Sequence, residues 1–497
     1  MQLLLRAPRL TAFISGGLAT LAFAPFNLWL MAVFSPLLLF LIWHHGRGAS
    51  FQTGFAYGVG LLGSGVSWLY VSVAQFGDLG WLFPLLLTLG FILFVSLYYG
   101  LLGWVASYFE SVAVTPKLLL IYPSLWVLME WLRGWFLTGF PWLQLGYSQV
   151  DSPLAGYAPL LGVLGITWAV TLTAGLLSHL LDAQGRRIWL LSGLVVIWLG
   201  GWMTNQIEWS SQNGKPVTVA LIQGNIPQAQ KWAPEQLAPS LVLYANLSRD
   251  NLDKDLVIWP ETAVSAFQYQ VEAAFIQPLE KRVRDHDSNL VFGVVQVDSS
   301  REHYYNALVA LGNEERGSYY KGHLVPFTEY LPLKSVLWPL VELFTIPMSD
   351  FSARIEEKPL MKVGNHAVGM SICYEDAFGN EMIKALPEAA YLINVSNDAW
   401  FGDSLAPHQH LQIARMRALE TSRYLLRATN TGISAIIGPL GELQGRSALQ
   451  QQDVLQGEIL PLSGMTPYAR TGNLTVLMML LVTLILSIAL TQKRLRG

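Results

Sequence analysis

Long uncharged apolar stretches separated by short charged loops fill the first 210 positions of this 497-residue chain. A bilayer core of roughly 30 Å takes about 20 apolar residues in a spanning helix. Residues 10–43 carry no charge, and Pro25 and Asn27 near their middle predict two short spans with a tight turn at residues 24–27. Further spans are predicted at residues 51–74, 81–109, 118–131, 157–181, 188–207 and 471–492. We therefore expect a polytopic α-helical membrane domain with about eight spans, of which residues 118–131 are short enough to be a buried or interfacial helix instead.

Residues 216–465 have a different pattern, in which short β-branched apolar runs alternate with segments of helical periodicity. The runs predict strands at residues 217–226, 256–260, 290–297, 306–311, 367–373, 391–395 and 433–437. Helices are predicted between them at residues 235–251, 272–287 and 406–428. Alternating strands and helices indicate a layered α/β domain. The expected organisation is thus seven membrane helices in residues 1–210, an α/β domain at 216–465, and an eighth membrane helix at 471–492.

The density of charged residues differs between the same two regions. Asp, Glu, Lys and Arg make up 13% of the chain, against roughly 25% in an ordinary soluble protein. Only 13 of these charges lie in residues 1–210, and the other 52 lie in the remaining 287 residues. An apolar content of 52% excludes a mainly disordered chain, and a net charge of -3 gives no basic surface for nucleic acid. Cys373 is the single cysteine, so no intrachain disulfide can form.

Basic residues in the short loops predict the orientation of the spans. If the N-terminus is cytoplasmic, nine Lys and Arg residues fall on the cytoplasmic side, and Arg133 and Lys215 fall on the other. Because seven spans precede residue 211, we expect the α/β domain outside the cytoplasm and both termini inside it.

Three polar segments that follow apolar runs in the α/β region carry groups able to act together. Glu261 follows the run 256–260, Lys321 lies between tyrosines and an apolar stretch, and Cys373 ends the run 367–373. A thiol needs a base to become a thiolate and a positive group to hold the oxyanion that its attack creates. Taken singly, each residue also has an explanation without catalysis: a helix cap for Glu261, a surface charge for Lys321 and an inert buried thiol for Cys373.

In this order the three segments resemble the Glu-Lys-Cys triad of the nitrilase, or carbon–nitrogen hydrolase, superfamily. They read Trp-Pro-Glu, Tyr-Lys-x-His-Leu-Val-Pro-Phe-x-Glu and Ile-Cys-Tyr-Glu, with triad residues 60 and then 52 positions apart. The match continues at residues 394–402, 415–420 and 428–434. Together with the spans, it resembles the membrane-embedded branch of the superfamily. Thr328, where soluble nitrilases commonly have Gly, departs from the pattern beside Glu329 and leaves the triad intact.

The resemblance implies a four-layer αββα sandwich and a role for each triad residue. Glu261 would be the general base, Lys321 would stabilise the oxyanion, and Cys373 would carry the acyl group as a thioester. The resemblance also implies supporting or substrate-binding roles for Trp232, Asn306, Glu329, Tyr374 and Glu375. For Trp232, a packed loop aromatic is the alternative.

The membrane-embedded branch further implies a lipid substrate. The expected reaction moves an acyl chain from a phospholipid, phosphatidylethanolamine with its sn-1 chain, to the N-terminal amine of a diacylglyceryl-cysteine in an apolipoprotein. The resemblance implies a location in the inner membrane of a bacterium, with the catalytic domain in the periplasm. It also implies that the enzyme is a monomer. A membrane-anchored amidase that gives the acyl group to water is the alternative, because the triad serves both reactions. A transporter or receptor would carry paired charges within its spans, which hold almost none.

An apolar segment with two prolines, residues 335–348, follows the lysine motif. We expect a lid or arm there that contacts the membrane through Leu337, Leu343 and Phe344, with packing into the core as the alternative. No cofactor or metal is implied. His408 and His410, at the start of a predicted helix, are expected to be polar surface residues.

Overall fold

The computed structural model describes residues 6–45, 49–75, 80–182, 187–332, 334, 350–354 and 357–496. The chain forms two compact units. The first, here the helical unit, comprises residues 1–73, 81–207 and 470–497. The second, here the α/β unit, comprises residues 74–80 and 208–469. The predicted lid residues Leu337, Leu343 and Phe344 lie outside the described residues.

The helical unit consists of apolar helices joined by short turns. Its longer helices are Pro8–Ala19, Met31–His45, Phe51–Gly65, Leu69–Ala74, Leu82–Ser107, Tyr122–Arg133, Ala158–Asp182, Arg187–Thr204 and Leu474–Arg496. Short helical turns are Thr20–Ala22, Val114–Pro116, Lys117–Ile121, Phe136–Thr138, Leu145–Gln149 and Pro153–Tyr157. By length and composition, the described helices Leu82–Ser107, Pro153–Leu181 and Arg187–Thr204 are able to cross a bilayer, while Met31–His45 and Leu474–Ser487 are apolar but shorter. The total of about eight spans therefore stays a prediction.

Glycines allow the helices of this unit to approach each other closely. Gly60 lies against the backbone carbonyl of Phe13, and Gly54 lies against that of Tyr99, so that a Cβ at either glycine would overlap the carbonyl oxygen. Gly63 lies in the same helix as both, and a Cβ added there would have no neighbouring atom within 4 Å. Small residues at helix contacts are typical of membrane proteins, where van der Waals packing holds the helices together.

Glu130 and Arg133 are buried charged side chains of the helix Tyr122–Arg133. The carboxylate of Glu130 accepts hydrogen bonds from Trp126 Nε1 (3.0 Å), from the backbone N–H of Leu145 (3.0 Å) and from Thr167 Oγ1 (2.8 Å). Arg133 donates from Nη1 to the carbonyl oxygens of Phe140 (2.8 Å) and Trp142 (2.6 Å). These partners replace the hydration that the Glu130 carboxylate and Nη1 of Arg133 lose on burial.

The α/β unit contains two large sheets and one small one. Its strands are β1 (Ser210–Gln212), β2 (Val217–Gln223), β3 (Leu256–Ile258), β4 (Val264–Phe267), β5 (Asn289–Val297), β6 (Tyr304–Leu311), β7 (Gly317–Tyr320), β8 (Leu360–Val363), β9 (His366–Ile372), β10 (Leu392–Ser396), β11 (Leu425–Thr429), β12 (Ala435–Ile437), β13 (Leu443–Arg446), β14 (Asp453–Ile459) and β15 (Leu462–Gly464). The first sheet has the order β14-β2-β3-β5-β6-β7, with β4 paired to β5, and the second has the order β13-β12-β11-β10-β9-β8. Strands β1 and β15 form a separate pair.

Helices flank these sheets. The longer ones are Pro234–Arg249, Gln277–Asp285 and Leu405–Thr421, and the shorter ones are Gln228–Lys231, Gln268–Val271, Glu272–Ile276, Cys373–Ala377, Gly379–Met382, Ile383–Ala385, Asp398–Phe401 and Pro467–Thr471. One apolar core lies between the two sheets and includes Leu221 and Ile393. A second core packs Pro234–Arg249 and Gln277–Asp285 onto the first sheet, and a third packs Leu405–Thr421 onto the second. The layers are therefore helices, sheet, sheet and helices.

One predicted element is wrong in part. The helix expected at residues 406–428 ends at Thr421, where Ser422 adopts a left-handed conformation (φ 50°). Residues 425–429 instead form β11, which pairs in parallel with β10 and is fully buried. Pairing in the middle of a sheet outweighs the helical preference of this sequence. Several strands without a strong apolar run were not predicted, among them β4, β7, β8, β13 and β14.

Candidate active site

The predicted catalytic residues follow strands that end at corresponding edges of the two sheets. Strands β2, β3 and β5 are parallel in the first sheet, and β9, β10 and β11 are parallel in the second. Glu261 comes three residues after β3, and Cys373 comes directly after β9. Lys321 follows β7, which runs in the direction of β5 because β6 is antiparallel to both. Loops at the carboxyl ends of parallel strands are where α/β proteins bind their ligands.

Glu261 is a buried carboxylate with a donor on each oxygen. Its Oε1 accepts from Asn306 Nδ2 (2.7 Å) and Lys321 Nζ (3.4 Å), and its Oε2 accepts from the backbone N–H of Asn397 (2.8 Å). The loop that carries it passes so close to β5 that a Cβ at Gly293 would overlap its backbone. The close approach and the three donors fix the orientation of the carboxylate.

Lys321 is held between two carboxylates and is almost fully buried. Its Nζ lies 2.8 Å from Glu329 Oε1 and 3.4 Å from Glu261 Oε1. Burial alone would lower the pKa of Lys321, but the charges of Glu329 and Glu261 outweigh it and raise the pKa above its ordinary value. Glu329 in turn accepts from the backbone N–H of Val325 (2.8 Å) and from Asn306 Nδ2 (3.3 Å). The lysine is therefore a fixed positive charge throughout the physiological pH range.

Cys373 begins a short 3₁₀ turn and has φ of 53°. Its carbonyl oxygen accepts a hydrogen bond from Asn394 Nδ2 (3.2 Å). Burial and the negative charge of Glu261 raise the pKa of the Cys373 thiol, and Lys321 opposes this rise. The thiol is therefore neutral at rest, and a base has to take its proton as the sulfur attacks.

Glu375 joins the lysine segment to the nucleophile segment. Its Oε1 accepts from the backbone N–H groups of Gly322 (2.7 Å) and His323 (3.1 Å). Its Oε2 accepts from Tyr319 Oη (2.9 Å) and from the backbone N–H of Ile372 (2.7 Å). Burial raises its pKa to about 7, although Lys321 and the backbone donors act in the opposite direction. The structure thus connects this predicted supporting residue to both parts of the site.

The remaining predicted residues lie nearby in different environments. Asn306 is buried and bridges Glu261 and Glu329 through Nδ2. Tyr374 is partly exposed and packs edge-on against Phe378, with ring centroids 5.0 Å apart. The side chain of Trp232 is 49% exposed, so the alternative of a packed loop aromatic is not what the structure shows.

Sequence reasoning missed Lys231 and Asn397. Lys231 is buried and donates from Nζ to the backbone carbonyl of Glu261 (3.0 Å). Burial lowers its pKa to about 8, although the charges of Glu261 and Cys373 act to raise it. Lys231 directly precedes the predicted site residue Trp232, and Asn397 lies in the matched segment 394–402, but neither position was given a role.

The surface position predicted for His410 is wrong. His410 is 1% exposed and lies between two carboxylates, with Nε2 3.0 Å from Asp376 Oδ1 and Nδ1 3.1 Å from Asp398 Oδ1. The helix that carries it is buried around most of its circumference, so that its polar residues do not mark a solvent face. His408 is half-buried. Within the described part of the chain, no three His, Cys, Asp or Glu side chains are arranged to hold a metal ion.

Both parts of the chain are similar to known proteins. Residues 15–176 match the family model of the apolipoprotein N-acyltransferase N-terminal domain, and residues 218–469 match that of carbon-nitrogen hydrolase, which confirms the resemblance inferred from the motifs. The chain is 44% identical to the apolipoprotein N-acyltransferase of Methylococcus capsulatus, over 93% of this chain and 92% of the relative. It is 43% identical to that of Nitrosomonas europaea, over 94% of each chain. A solved structure, Saccharomyces cerevisiae Nit3 of the nitrilase superfamily, is 17% identical over 51% of this chain and 93% of that one, with a TM-score of 0.38. The chain belongs to the apolipoprotein N-acyltransferase family.

Proposed function

We propose that this enzyme moves an acyl chain from a phospholipid to the N-terminal amine of an apolipoprotein through a thioester on Cys373. The observation that supports the proposal most is the shared environment of Glu261, Lys321 and Cys373. A carboxylate and a buried ammonium lie 3.4 Å apart, and their charges act on the same thiol. A base, an oxyanion partner and a nucleophile are the three groups that acyl transfer through cysteine requires.

In the first half-reaction, Glu261 takes the proton of the Cys373 thiol as the sulfur attacks the ester carbonyl carbon of the phospholipid. Lys321 and the backbone N–H of Tyr374 stabilise the negative charge on the carbonyl oxygen. The carbon–oxygen ester bond then breaks, and Glu261 returns its proton to the leaving alcohol of the lysophospholipid. The acyl group stays on Cys373 as a thioester.

In the second half-reaction, the free amine of the diacylglyceryl-cysteine attacks the thioester carbonyl. Glu261 accepts a proton from the amine, and Lys321 again holds the oxyanion. The carbon–sulfur bond breaks, Cys373 takes back a proton, and the product is the N-acylated lipoprotein. Because one product leaves before the second substrate reacts, the kinetics are ping-pong. Water has to be kept from the thioester until the amine arrives.

We further propose phosphatidylethanolamine, cleaved at sn-1, as the donor and a monomer as the working form. Trp232 and Tyr374 are proposed to contact substrate, since both keep exposed surface near the triad. The apolar stretches support seven helices in residues 1–210 and an eighth at 471–492. The loop charges support a periplasmic catalytic domain at 216–465 in the bacterial inner membrane. A membrane-bound catalytic domain meets its lipid donor where that donor resides.

The proposal is tested with purified enzyme and a phospholipid labelled in its sn-1 acyl chain. We expect label on Cys373 that resists SDS and is removed by hydroxylamine, and we expect Cys373→Ala to abolish it. Adding a diacylated lipopeptide with a free amine should then move the label to the peptide. Absence of a thioester contradicts the mechanism. A thioester that passes only to water supports the alternative hydrolase.

A further inference from the structure

We propose that four buried charged residues, Asp376, Asp398, His410 and Arg427, position Cys373 for its reaction. They are called the ion cluster below, and this inference rests on the nucleophilic role proposed for Cys373. None of the four touches substrate in this proposal. They act through the backbone and through the electrostatic environment of the nucleophile.

The ion cluster is a closed ring. Arg427 reaches Asp376 Oδ2 through Nη1 (3.1 Å) and Asp398 Oδ2 through Nη2 (3.0 Å). His410 reaches the other oxygen of each carboxylate, with Nε2 3.0 Å from Asp376 Oδ1 and Nδ1 3.1 Å from Asp398 Oδ1. All four side chains are 0–1% exposed. The ring ties together the nucleophile turn, the turn after β10, helix Leu405–Thr421 and strand β11.

The ring carries two negative and two positive charges. Burial and Arg427 would lower the pKa of His410, but Asp376 and Asp398 raise it to about 9, so that both imidazole nitrogens donate. Burial alone would raise the pKa of Asp398, but Arg427 and His410 hold it well below its ordinary value. A buried ion pair is weak evidence for stability, since apolar residues of similar volume often stabilise a fold as much or more. A cluster of four charges next to a nucleophile therefore calls for a functional explanation.

The ring is connected to Cys373 through Asn394. Arg427 Nη1 donates to Asn394 Oδ1 (2.6 Å), and Asn394 Nδ2 donates to the carbonyl oxygen of Cys373 (3.2 Å). Asp376 stands three residues after Cys373, in the same 3₁₀ turn. Cys373 has φ of 53°, a left-handed conformation that a residue with a side chain keeps only where its surroundings enforce it. The ring and its asparagine hold the backbone at Cys373 and in the turn that follows it.

The ring also controls charge near the sulfur. The groups that act on the thiol include Glu261, Lys321 and Asp398, and the negative charge of Asp398 opposes thiolate formation. Lys231, which donates to the backbone carbonyl of Glu261, also interacts electrostatically with Cys373. Arg427 and His410 offset the charge of Asp398 without needing to touch the sulfur. Loss of either cation, or of its contact with Asp398, should move thiolate formation to higher pH.

The experiment measures alkylation of Cys373 by iodoacetamide across pH 6 to 10, in full-length enzyme without lipid, beside thioester formation from labelled phospholipid. The first variant, Arg427→Lys, keeps the positive charge but loses the simultaneous contact of one guanidinium with Asp376 and Asp398. The second variant, Asn394→Ala, removes the hydrogen bond to the Cys373 carbonyl and leaves the four residues of the ion cluster unchanged. The matched control is Arg423→Lys. Arg423 is equally buried but donates to the carbonyls of Ala389 (2.7 Å), Ser422 (3.1 Å) and Gly464 (2.7 Å).

We expect Arg427→Lys to lower the rate of thioester formation about 100-fold, the size of effect expected for a small misplacement of a reacting group. The KM for phospholipid should change little, and alkylation should require higher pH. Asn394→Ala should also lower the rate of thioester formation, but it should shift the pH dependence of alkylation less than Arg427→Lys does. Arg423→Lys should stay within twofold per folded molecule.

The inference is overturned if Arg427→Lys and Asn394→Ala lose activity only in proportion to folded protein, as the control does, with an unchanged alkylation profile. If wild-type enzyme alkylates normally but never forms a thioester, the proposed function fails instead. The alkylation comparison then still decides whether the ion cluster tunes Cys373, because it uses no lipid.

Discussion

The two units bury glutamate in different ways. Glu130 in the helical unit receives only neutral donors, from an indole, a backbone amide and a hydroxyl. Glu261 in the α/β unit receives a neutral amide, a backbone N–H and the ammonium of Lys321. Neutral donors satisfy the hydrogen bonds of the Glu130 carboxylate and let it anchor a loop. The Glu261 carboxylate shares the cation Lys321 with the thiol of Cys373, and it can take the proton of that thiol. The partners of a buried acid, rather than its burial, therefore distinguish Glu261 from Glu130.

The units also differ in what holds them together. Helices of the helical unit pack through glycines against backbone carbonyls, as Gly60 does against Phe13. The α/β unit combines three apolar cores with buried ion pairs at the ends of its strands. Substitutions at the glycine contacts of the helical unit should lower its stability. Substitutions at the buried ion pairs of the α/β unit should lower the rate of the chemical step.

The largest effect is expected from Glu261→Gln. The amide keeps the shape of the side chain but cannot accept the thiol proton, so thioester formation should slow by roughly 10²–10⁴-fold, the usual contribution of a general base. Rapid-quench measurement of labelled thioester gives the rate, with the thermal midpoint as a control for folding. A rate within fivefold of wild type would remove Glu261 from the role of base.

Gly60→Ala should destabilise the helical unit by about 1–3 kcal/mol, the usual effect of overpacking. The new Cβ would overlap the carbonyl of Phe13, whereas Gly63→Ala in the same helix meets open space and serves as the control. Thermal unfolding in detergent should show a lower midpoint for Gly60→Ala alone. Alkylation of Cys373 per folded molecule should be equal in both variants, and a specific loss at Gly60 would contradict the separation of roles.

A smaller effect is expected from the titration of His410. Its folded-state pKa of about 9 lies above the ordinary value of 6.5. The folded state therefore holds this proton more tightly than the unfolded state, and the resulting stability is complete below pH 6.5 and is lost as the pH rises through 9. The thermal midpoint should fall over this window in wild type and fall less in His410→Gln. Parallel pH profiles for the two proteins would contradict a protonated His410.

The smallest effect is expected from Glu130→Gln, the counterpart of the first substitution. Because its three partners are neutral donors, an amide oxygen can keep the bonds from Trp126 and Leu145. We expect the free energy of unfolding to change by about 1 kcal/mol or less and the thioester rate to stay within twofold. A large loss of rate would give Glu130 a role that its hydrogen bonds do not indicate.

The triad is predicted from short motifs, two of which lie at the end of a recognisable apolar run. Glu261 and Cys373 follow strands whose β-branched residues are easy to identify, and the spacing with Lys321 matches a known motif. The family assignment from these residues is confirmed by the matches to both parts of the chain. Short strand-end motifs carry their information locally, so a single sequence is enough to find them.

The ion cluster could not be predicted in the same way. Asp398, His410 and Arg427 come from a turn, a helix and a strand, and only the parallel pairing of β9, β10 and β11 brings them to one place. Each residue alone has the polarity of a surface position. The helix that carries His410 lacks the alternation of apolar and polar faces that would have shown which side is buried.

The four hydrogen bonds of Glu375 have a consequence for how the lysine segment and the nucleophile segment depend on each other. The carboxylate joins Gly322 and His323, which follow Lys321, to Ile372, which directly precedes Cys373. One buried side chain therefore fastens together two segments whose catalytic groups lie 52 positions apart in the chain. A substitution at Glu375 alone would release both segments at once, so a single change can displace the cation and the thiol as a pair.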